Sequence, residues 1–379
     1  MTWGLYVHLP FCVRKCVYCD FPVVLWNSGR PEAYSLLLQR EASFLRSSLD
    51  LQGPPATLYF GGGTPSTTPP SALKDLIGKL EALFGPFSET MELTLEANPE
   101  TVTADDLFAW REMGINRVSV GVQTSSEETL RLLGRLHTRD QVERLLAQLP
   151  TLFPTWNMDL IYGLPGENLS SWQKTLSWAL SFAPPHLSAY SLQVEERTPL
   201  WYWVREGKVQ LPPEEEVADM MAWAREYLPS QGFFPYEISN FSRPGHESRH
   251  NLLYWRNGNY LGLGLGAHSH MEGIRWANVE RLGRYRELIL QGFSPVDPGS
   301  VIPGDRRRSL SDAMIMGLRL AEGVDLLELK DRYGEDPGKV FGGSLQRLKE
   351  RGLLQMEGSR VRLTAQGVLL GNLVFQEFL

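Results

Sequence analysis

The chain has 379 residues, 42% apolar and 21% charged, the composition of a globular protein with a substantial core rather than a disordered or fibrous one. Lys and Arg total 37 against 44 Asp and Glu, a net charge of −7, which argues against a chain-wide electrostatic grip on nucleic acid or anionic lipid and leaves room only for a local basic patch. No stretch approaches the ~18 apolar residues of a membrane-spanning helix. The opening Thr2-Trp3-Gly4-Leu5-Tyr6 lacks the features of a secretory signal, so a cytoplasmic location is expected.

The first predicted strand covers residues 5–9, and the cysteines follow it. There are three, Cys12, Cys16 and Cys19, spaced C-x3-C-x2-C. An odd cluster so tight in sequence is a poor disulfide framework and reads as a metal or redox site. Structural zinc would need a fourth ligand, such as His8 or a distant acid. An iron–sulfur cubane needs four ligands as well, and three thiolates leave one iron open to a small molecule. Both readings stand on spacing; the apolar neighbours Phe11, Val17, Tyr18, Phe21 and Pro22, which would shield a cluster from water, favour the second.

Strand and helix then alternate. A helix is predicted over 31–49, a strand over 56–60, the turn Gly61-Gly62-Gly63-Thr64-Pro65-Ser66, and a helix over 71–84. Strands over 92–96, 117–122, 156–163 and 186–192 follow, with helices after Thr103 and over 169–182 and 213–227. This rhythm predicts parallel βαβ units in an open or partial (β/α)6 barrel. The polar residues fall where such a fold does chemistry, at the strand exits: the cysteines after the first, the glycines after the second, Glu96 on the third, Gln123 on the fourth and Asp159 on the fifth. Glu96 taken alone reads first as a cap or ion-pair partner; the joint pattern of five strand exits is what points to a site. The glycine run lacks the Gly-Lys-Ser/Thr of a phosphate loop, but it frees the backbone for close approach.

On these residues the chain resembles the radical S-adenosylmethionine (SAM) superfamily. The cysteine triplet with Tyr18 before its last member is similar to that family's cluster motif, and Tyr59-Phe60-Gly61-Gly62-Gly63-Thr64-Pro65 to its glycine motif. The segments from Leu5 to Cys12, Leu95 to Pro99, Gly121 to Gln123 and Asp159 to Gly166 resemble the branch that holds the oxygen-independent coproporphyrinogen III dehydrogenases and the HemW heme chaperones. The resemblance implies a [4Fe–4S] cluster on Cys12, Cys16 and Cys19, with the amino and carboxylate groups of SAM on the fourth iron. It implies that Tyr6, Gly62, Gly63, Thr64, Glu96, Gln123, Arg135 and Asp159 contact SAM or line its site. Asp159 would take a ribose hydroxyl; Glu96 and Arg135 would offer opposite charges to the methionine end.

Two departures from the dehydrogenases stand out. They carry a fourth cysteine just after the motif, where this sequence has Phe21, and a longer segment before the first strand. His250-Asn251-Leu252-Leu253-Tyr254-Trp255 instead matches the H-N-x-x-Y-W pattern of HemW-type proteins. His250 would then be an axial ligand to heme iron, with Tyr254 and Trp255 stacking on the macrocycle and Arg249 near a propionate. The alternative is a hydrogen-bonded histidine beside core aromatics; His268 and His270 are further ligand candidates. Leu261 to Gly266 alternates leucine with glycine, leaving one strand face open to a ligand or a second backbone.

Residues 295–304 read as a linker. Beyond it, helices over 311–320, 326–333 and 339–351, a hairpin over 353–363 and a last helix after Thr364 resemble a winged-helix-like α+β domain. The expected organisation is a radical SAM partial barrel over 1–230, a barrel-completing segment over 231–294, the linker, and the C-terminal domain over 305–379. The expected function is a heme chaperone that passes heme to an acceptor hemoprotein, a respiratory one in the family context; the alternative is an enzyme acting on a tetrapyrrole. Nucleic acid is not expected as a partner, and a homodimer is left open.

Overall fold

The computed structural model describes residues 2–26 and 30–379; residues 1 and 27–29, inside the first expected domain, lie outside the description. Six strands carry the framework: β1 (Trp3–Leu9), β2 (Thr57–Gly62), β3 (Glu92–Ala97), β4 (Arg117–Gln123), β5 (Thr155–Tyr162) and β6 (His186–Ser191). Each alternates at period two. Leu5, Val7, Leu58, Phe60, Leu93, Leu95, Val118, Val120, Trp156, Met158, Leu187 and Ala189 are at most 4% exposed. These aliphatic and aromatic residues form one core with the covering helices. The intervening residues are polar: Tyr6, His8, Tyr59, Glu96, Ser119, Asn157, Asp159 and Ser188 share the opposite face.

Local signals fix the helices. The helix Pro70–Phe84 starts on a proline, buries Leu73, Leu76, Ile77 and Leu80 at helical spacing, and stops at Gly85. The helix Ala104–Glu112 opens on a reciprocal cap between Thr103 and Asp106, worth ~1 kcal/mol.

Five further strands complete the large sheet: β7 (Phe234–Pro235), β8 (Asn240–Ser242), β9 (Asn259–Leu263), β10 (His268–Met271) and β11 (Ile274–Ala277). Among the described residues its order is β11-β10-β9-β1-β2-β3-β4-β5-β6-β8-β7, eleven strands in all. The strands β1 to β6 are mutually parallel, as the sequence predicts. A seventh parallel strand, β9, lies on the outer side of β1 with Gly262 opposite Tyr6. Its glycine face admits a second backbone: a Cβ on Gly262 would stand 2.2 Å from the His268 carbonyl oxygen.

Residues 295–304 are not a free tether. Arg275 and Ile302 exchange backbone bonds of 3.0 and 2.8 Å, which lays this stretch along β11. The helices Arg306–Gly317, Leu326–Tyr333 and Gly342–Glu350 pack with a three-stranded sheet, β12 (Val324–Asp325), β13 (Leu354–Glu357) and β14 (Arg360–Leu363), around a separate core that includes Leu310, Met314, Leu348, Val361 and Phe378. Arg275 pairs with Asp312 at 2.9 Å across the junction. Among the described residues no helix is long and apolar enough to cross a membrane.

Candidate functional site

The strand exits of β1 to β6 surround a cavity of about 580 Å³. Its lining includes Cys12, Cys16, Cys19, Gly62, Gly63, Thr64, Glu96, Gln123, Arg135 and Asp159. Six separate chain segments thus bring ten of the twelve expected site residues to one place. Tyr6 lies just beneath, its ring centroid 6.1 Å from that of Tyr59, a lining residue, and its hydroxyl 3.1 Å from His8 Nδ1. His250 is the twelfth, and it stands apart.

The cysteine loop is tied down by backbone bonds. Phe11 and Cys12 pair with Val24 and Leu25, and the Val17 N–H donates to Leu133 O at 3.2 Å. Thr64 Oγ1 donates to Cys12 Sγ at 3.4 Å, and Arg135 Nη1 to Cys16 Sγ at 3.6 Å. Burial pushes the Cys12 thiol up to about 11, against the Thr64 bond, and raises Cys19 too. A bound metal would reverse this and hold thiolates. Among the described residues no three His, Cys, Asp or Glu side chains converge closely enough to hold one ion, the trio included. Three thiolates on one loop supply three corners of a cubane and leave one iron open, whereas a closed structural zinc site needs a fourth protein ligand.

The glycines serve the loop more than an open ligand face. The Gly62 N–H donates to Glu96 Oε2 at 3.1 Å and the Gly63 N–H to Leu9 O at 2.9 Å, so both amides are engaged. A Cβ on Gly63 would stand 2.6 Å from the Pro10 carbonyl, just ahead of Cys12. That close approach is what requires glycine here.

Glu96 is half-buried by surface, its exposed part facing the cavity, yet it lies deep in the molecule. Its Oε1 accepts from the Tyr59 hydroxyl at 2.8 Å. Burial, with the Asp159 charge adding, lifts it to about 7 against the bonds from Tyr59 and Gly62. Asp159 is raised by burial as well, while Ser119 Oγ at 2.9 Å and Asn157 Nδ2 at 2.7 Å hold its two oxygens. A carboxylate has about four acceptor positions, which leaves room for two ligand hydroxyls. The Arg135 guanidinium is buried, with Nη2 on Asn98 Oδ1 at 2.7 Å and Gly121 O at 2.8 Å, while its Nε has no partner. Gln123 has φ +70° where the β4–β5 register shifts, a strained backbone that turns its side chain to the cavity.

His250 is 1% exposed, on the helix Arg249–Trp255. Its Nδ1 meets Thr57 Oγ1 at 2.7 Å and its Nε2 meets the Tyr254 hydroxyl at 2.7 Å. The expectation of an open axial ligand is not met in this conformation: both ring nitrogens are engaged, and burial lowers the imidazole to about 3, keeping it neutral. Arg249 Nη2 donates to Thr90 O, and His270 is buried against Gly258 O; the His268 side chain is exposed. The sequence reading assigned no role to Tyr59, Asn98, Ser119 or Tyr190, all of which line the cavity. Their signal was position, on the polar side of β2, β4 and β6 or just past the end of β3.

The Radical SAM superfamily model matches residues 6–179 and the HemN C-terminal domain model residues 305–370. The heme chaperone HemW of Bacillus subtilis is 36% identical over 99% of this chain and 98% of that protein. HemW of Synechocystis is 34% identical over 96% of this chain and 89% of its own length. The mitochondrial radical S-adenosyl methionine domain-containing protein 1 of Danio rerio is 32% identical over 97% and 84%. Among solved structures, coproporphyrinogen III oxidase (HemN) from Escherichia coli superposes with a TM-score of 0.85 over 100% of this chain and 90% of that one, at 23% identity, a likeness of fold. With its strand-exit cysteines, its glycine turn and this full-length kinship, the chain belongs to the radical SAM superfamily and, within it, to the HemW family.

Proposed function

We propose that this chain binds heme and passes it to an acceptor hemoprotein, on a scaffold that holds a [4Fe–4S] cluster and SAM. One observation carries the choice over a tetrapyrrole-modifying enzyme: full-length kinship with the HemW chaperones in a chain with no fourth thiol at the cavity, where Phe21, 58% exposed, takes that place. The cavity's own residues have distinct tasks. Cys12, Cys16 and Cys19 would hold the cluster. Glu96 accepts from the amino group of SAM, Arg135 faces its carboxylate, and Asp159 takes the ribose hydroxyls. Gly62, Gly63 and Thr64 shape the wall, and Tyr6 backs Tyr59. The cluster, when bound, supplies one-electron chemistry and an open iron. A histidine that is to ligate heme iron needs a free ring nitrogen. His250 offers one only after Thr57 or Tyr254 releases its ring, whereas the His268 ring is open already. We place the protein in the cytoplasm, with respiratory hemoproteins as the first acceptors to try.

The test uses anaerobically reconstituted protein. Titration with heme is expected to give a shifted Soret band, and addition of an apo-hemoprotein to move that band to the acceptor. Incubation with dithionite, SAM and coproporphyrinogen III is expected to yield no protoporphyrinogen. Decarboxylated product, or no heme uptake, overturns the reading. Heme titration of His250→Phe and His268→Ala tells the two histidines apart.

A further inference from the structure

The H-N-x-x-Y-W motif, His250 to Trp255, is not at the cavity, yet it touches the cavity through one residue. Glu96 has two protein partners. One, the Gly62 N–H, is fixed by the backbone. The other is the hydroxyl of Tyr59, at the end of a rotatable side chain. Two neighbouring rings set that side chain. The His250 ring stacks on Tyr59 at a centroid distance of 5.1 Å and 28°, and Tyr6 lies at 6.1 Å and 28°.

His250 is itself anchored by three residues, Glu92, Thr57 and Tyr254. Its backbone N–H donates to Glu92 Oε1 at 2.9 Å; Thr57 and Tyr254 hold the two ring nitrogens at 2.7 Å; and the Tyr254 ring meets it edge-on at 4.9 Å. Tyr254 leans edge-on against Tyr260 at 4.5 Å. A neutral imidazole has one donor and one acceptor nitrogen, and a hydroxyl can answer either, so the arrangement is satisfied without charge. A chain of contacts therefore runs from β2 and β3 through His250 to Tyr59 and ends on the carboxylate.

We infer that His250 and Tyr254 are positioning residues of the cofactor cavity, holding the Tyr59 ring and through it the Glu96 carboxylate without reaching the cavity themselves. The inference rests on the reading above that Glu96 receives the amino group of SAM. It assigns His250 a ring face as its working part rather than a nitrogen lone pair. A phenylalanine supplies that face and cannot ligate heme iron, which separates this role from the axial-ligand one.

The groups facing Glu96 are the Asp159 carboxylate and the phenols of Tyr6, Tyr59 and Tyr254. Asp159 pushes Glu96 toward protonation and the Tyr59 bond opposes it. If Tyr59 swings away, Glu96 takes up its proton at higher pH.

The experiment measures the SAM dissociation constant by equilibrium dialysis from pH 6 to 8.5, on full-length reconstituted protein whose iron, sulfide and circular dichroism confirm loading and fold. Loss of one hydrogen bond of ~1 kcal/mol corresponds to about fivefold. His250→Ala is expected to weaken SAM by about that factor and to move the acid limb of binding to higher pH. His250→Phe is expected to restore both, and Tyr254→Phe to fall between. Should His250→Ala not fold, Tyr254→Phe and His250→Phe carry the comparison. Wild-type affinity and limb in His250→Ala or Tyr254→Phe, or a His250→Phe as weak as His250→Ala, overturns the inference while the SAM site stands. A Glu96→Gln variant that binds SAM as the wild type does overturns the site reading and the inference with it.

Discussion

Substituting Glu96 with Gln tests the cavity at its most informative atom pair. The replacement keeps shape and one acceptor oxygen. The Gly62 N–H, 3.1 Å from Oε2, can only donate, so the amide oxygen must turn toward it and the NH2 toward the Tyr59 hydroxyl, which rotates to accept. The protein network survives, and what disappears is the charge offered to the ligand. A hydrogen bond to a charged group contributes ~1.5–3 kcal/mol, so SAM affinity is expected to fall by roughly 10- to 100-fold. The pH dependence is a second, independent reading. Glu96 titrates near 7 rather than at 4.5. From pH 8 to 6 its ionised fraction then falls from about nine-tenths to about one-tenth, and wild-type affinity by about tenfold. Glu96→Gln should show no such limb. Stability moves the other way. A carboxyl whose folded value is raised destabilises the fold as pH climbs through the interval from 4.5 to about 7, and fully above it. Cofactor-free Glu96→Gln is therefore expected to be more stable than wild type at pH 8, by up to ~3 kcal/mol, with the difference vanishing below the unfolded value. Equilibrium dialysis and urea unfolding at pH 6 and 8 measure both. A flat wild-type profile between those pH values, or an unchanged affinity in the variant, refutes the reasoning.

Cys19→Ala is expected to leave reconstituted protein without the broad iron–sulfur absorbance and with its iron down from ~4 per chain to a trace; a zinc-loaded, colourless wild type would defeat the cluster assignment altogether. Arg135→Gln removes a buried cation 3.6 Å from the Cys16 sulfur, so the cluster midpoint should become more negative by tens of millivolts, as read by a redox titration followed by electron paramagnetic resonance; a midpoint that is unmoved or raised counts against the N–H to sulfur contact. Glu41→Ala, far from the cavity, strips the acceptor from the Tyr285 hydroxyl, the Gly264 N–H and Asn278 Nδ2, three buried donors, and should cost ~2–4 kcal/mol in urea unfolding at pH 5, where burial, which lifts Glu41 to about 7, keeps it neutral in the fold; a loss under ~1 kcal/mol would show that the pocket relaxes around the gap.

What the sequence made legible was what local pattern determines. Period-two alternation marks β1 to β6, and the cysteine spacing and glycine run mark two strand exits, because these depend on neighbours a few residues away. Tyr59 and Ser119 passed unremarked for a geometric reason. Both faces of these strands are buried, so which of two alternating sets lines the cavity is decided by sheet closure. The partners of His250 were hidden by the same limitation. Its ring partner Thr57 is 193 positions away and its backbone partner Glu92 is 158 away. No local signal reports such contacts. Residues 295–304 read as a linker from Pro, Gly, Ser and Asp content, yet β11 is an edge strand whose free backbone groups recruit them. The parallel pairing of β9 with β1 likewise depends on where the chain returns, which composition does not encode.

The charges that line the cavity bear directly on the ligand proposed for it. Glu96 and Asp159 are both raised by burial, Glu96 also by the Asp159 charge, and the Arg135 guanidinium lines the same cavity. An anionic ligand would meet the carboxylates, and a purely cationic one would leave the guanidinium unanswered. A molecule with an amino group, a carboxylate and vicinal hydroxyls answers all three at once, and its amino-acid end should supply most of the discrimination. Competition experiments separate that end from the rest. S-adenosylhomocysteine keeps the amino and carboxylate groups and lacks the sulfonium methyl and its charge. Methylthioadenosine lacks the amino-acid end altogether. With two charge-assisted contacts at stake, each ~1.5–3 kcal/mol, methylthioadenosine is expected to bind at least about 100-fold more weakly than S-adenosylhomocysteine. Equal affinities would mean that Glu96 and Arg135 do not read the ligand, and that their burial beside the cysteine loop serves the cluster alone.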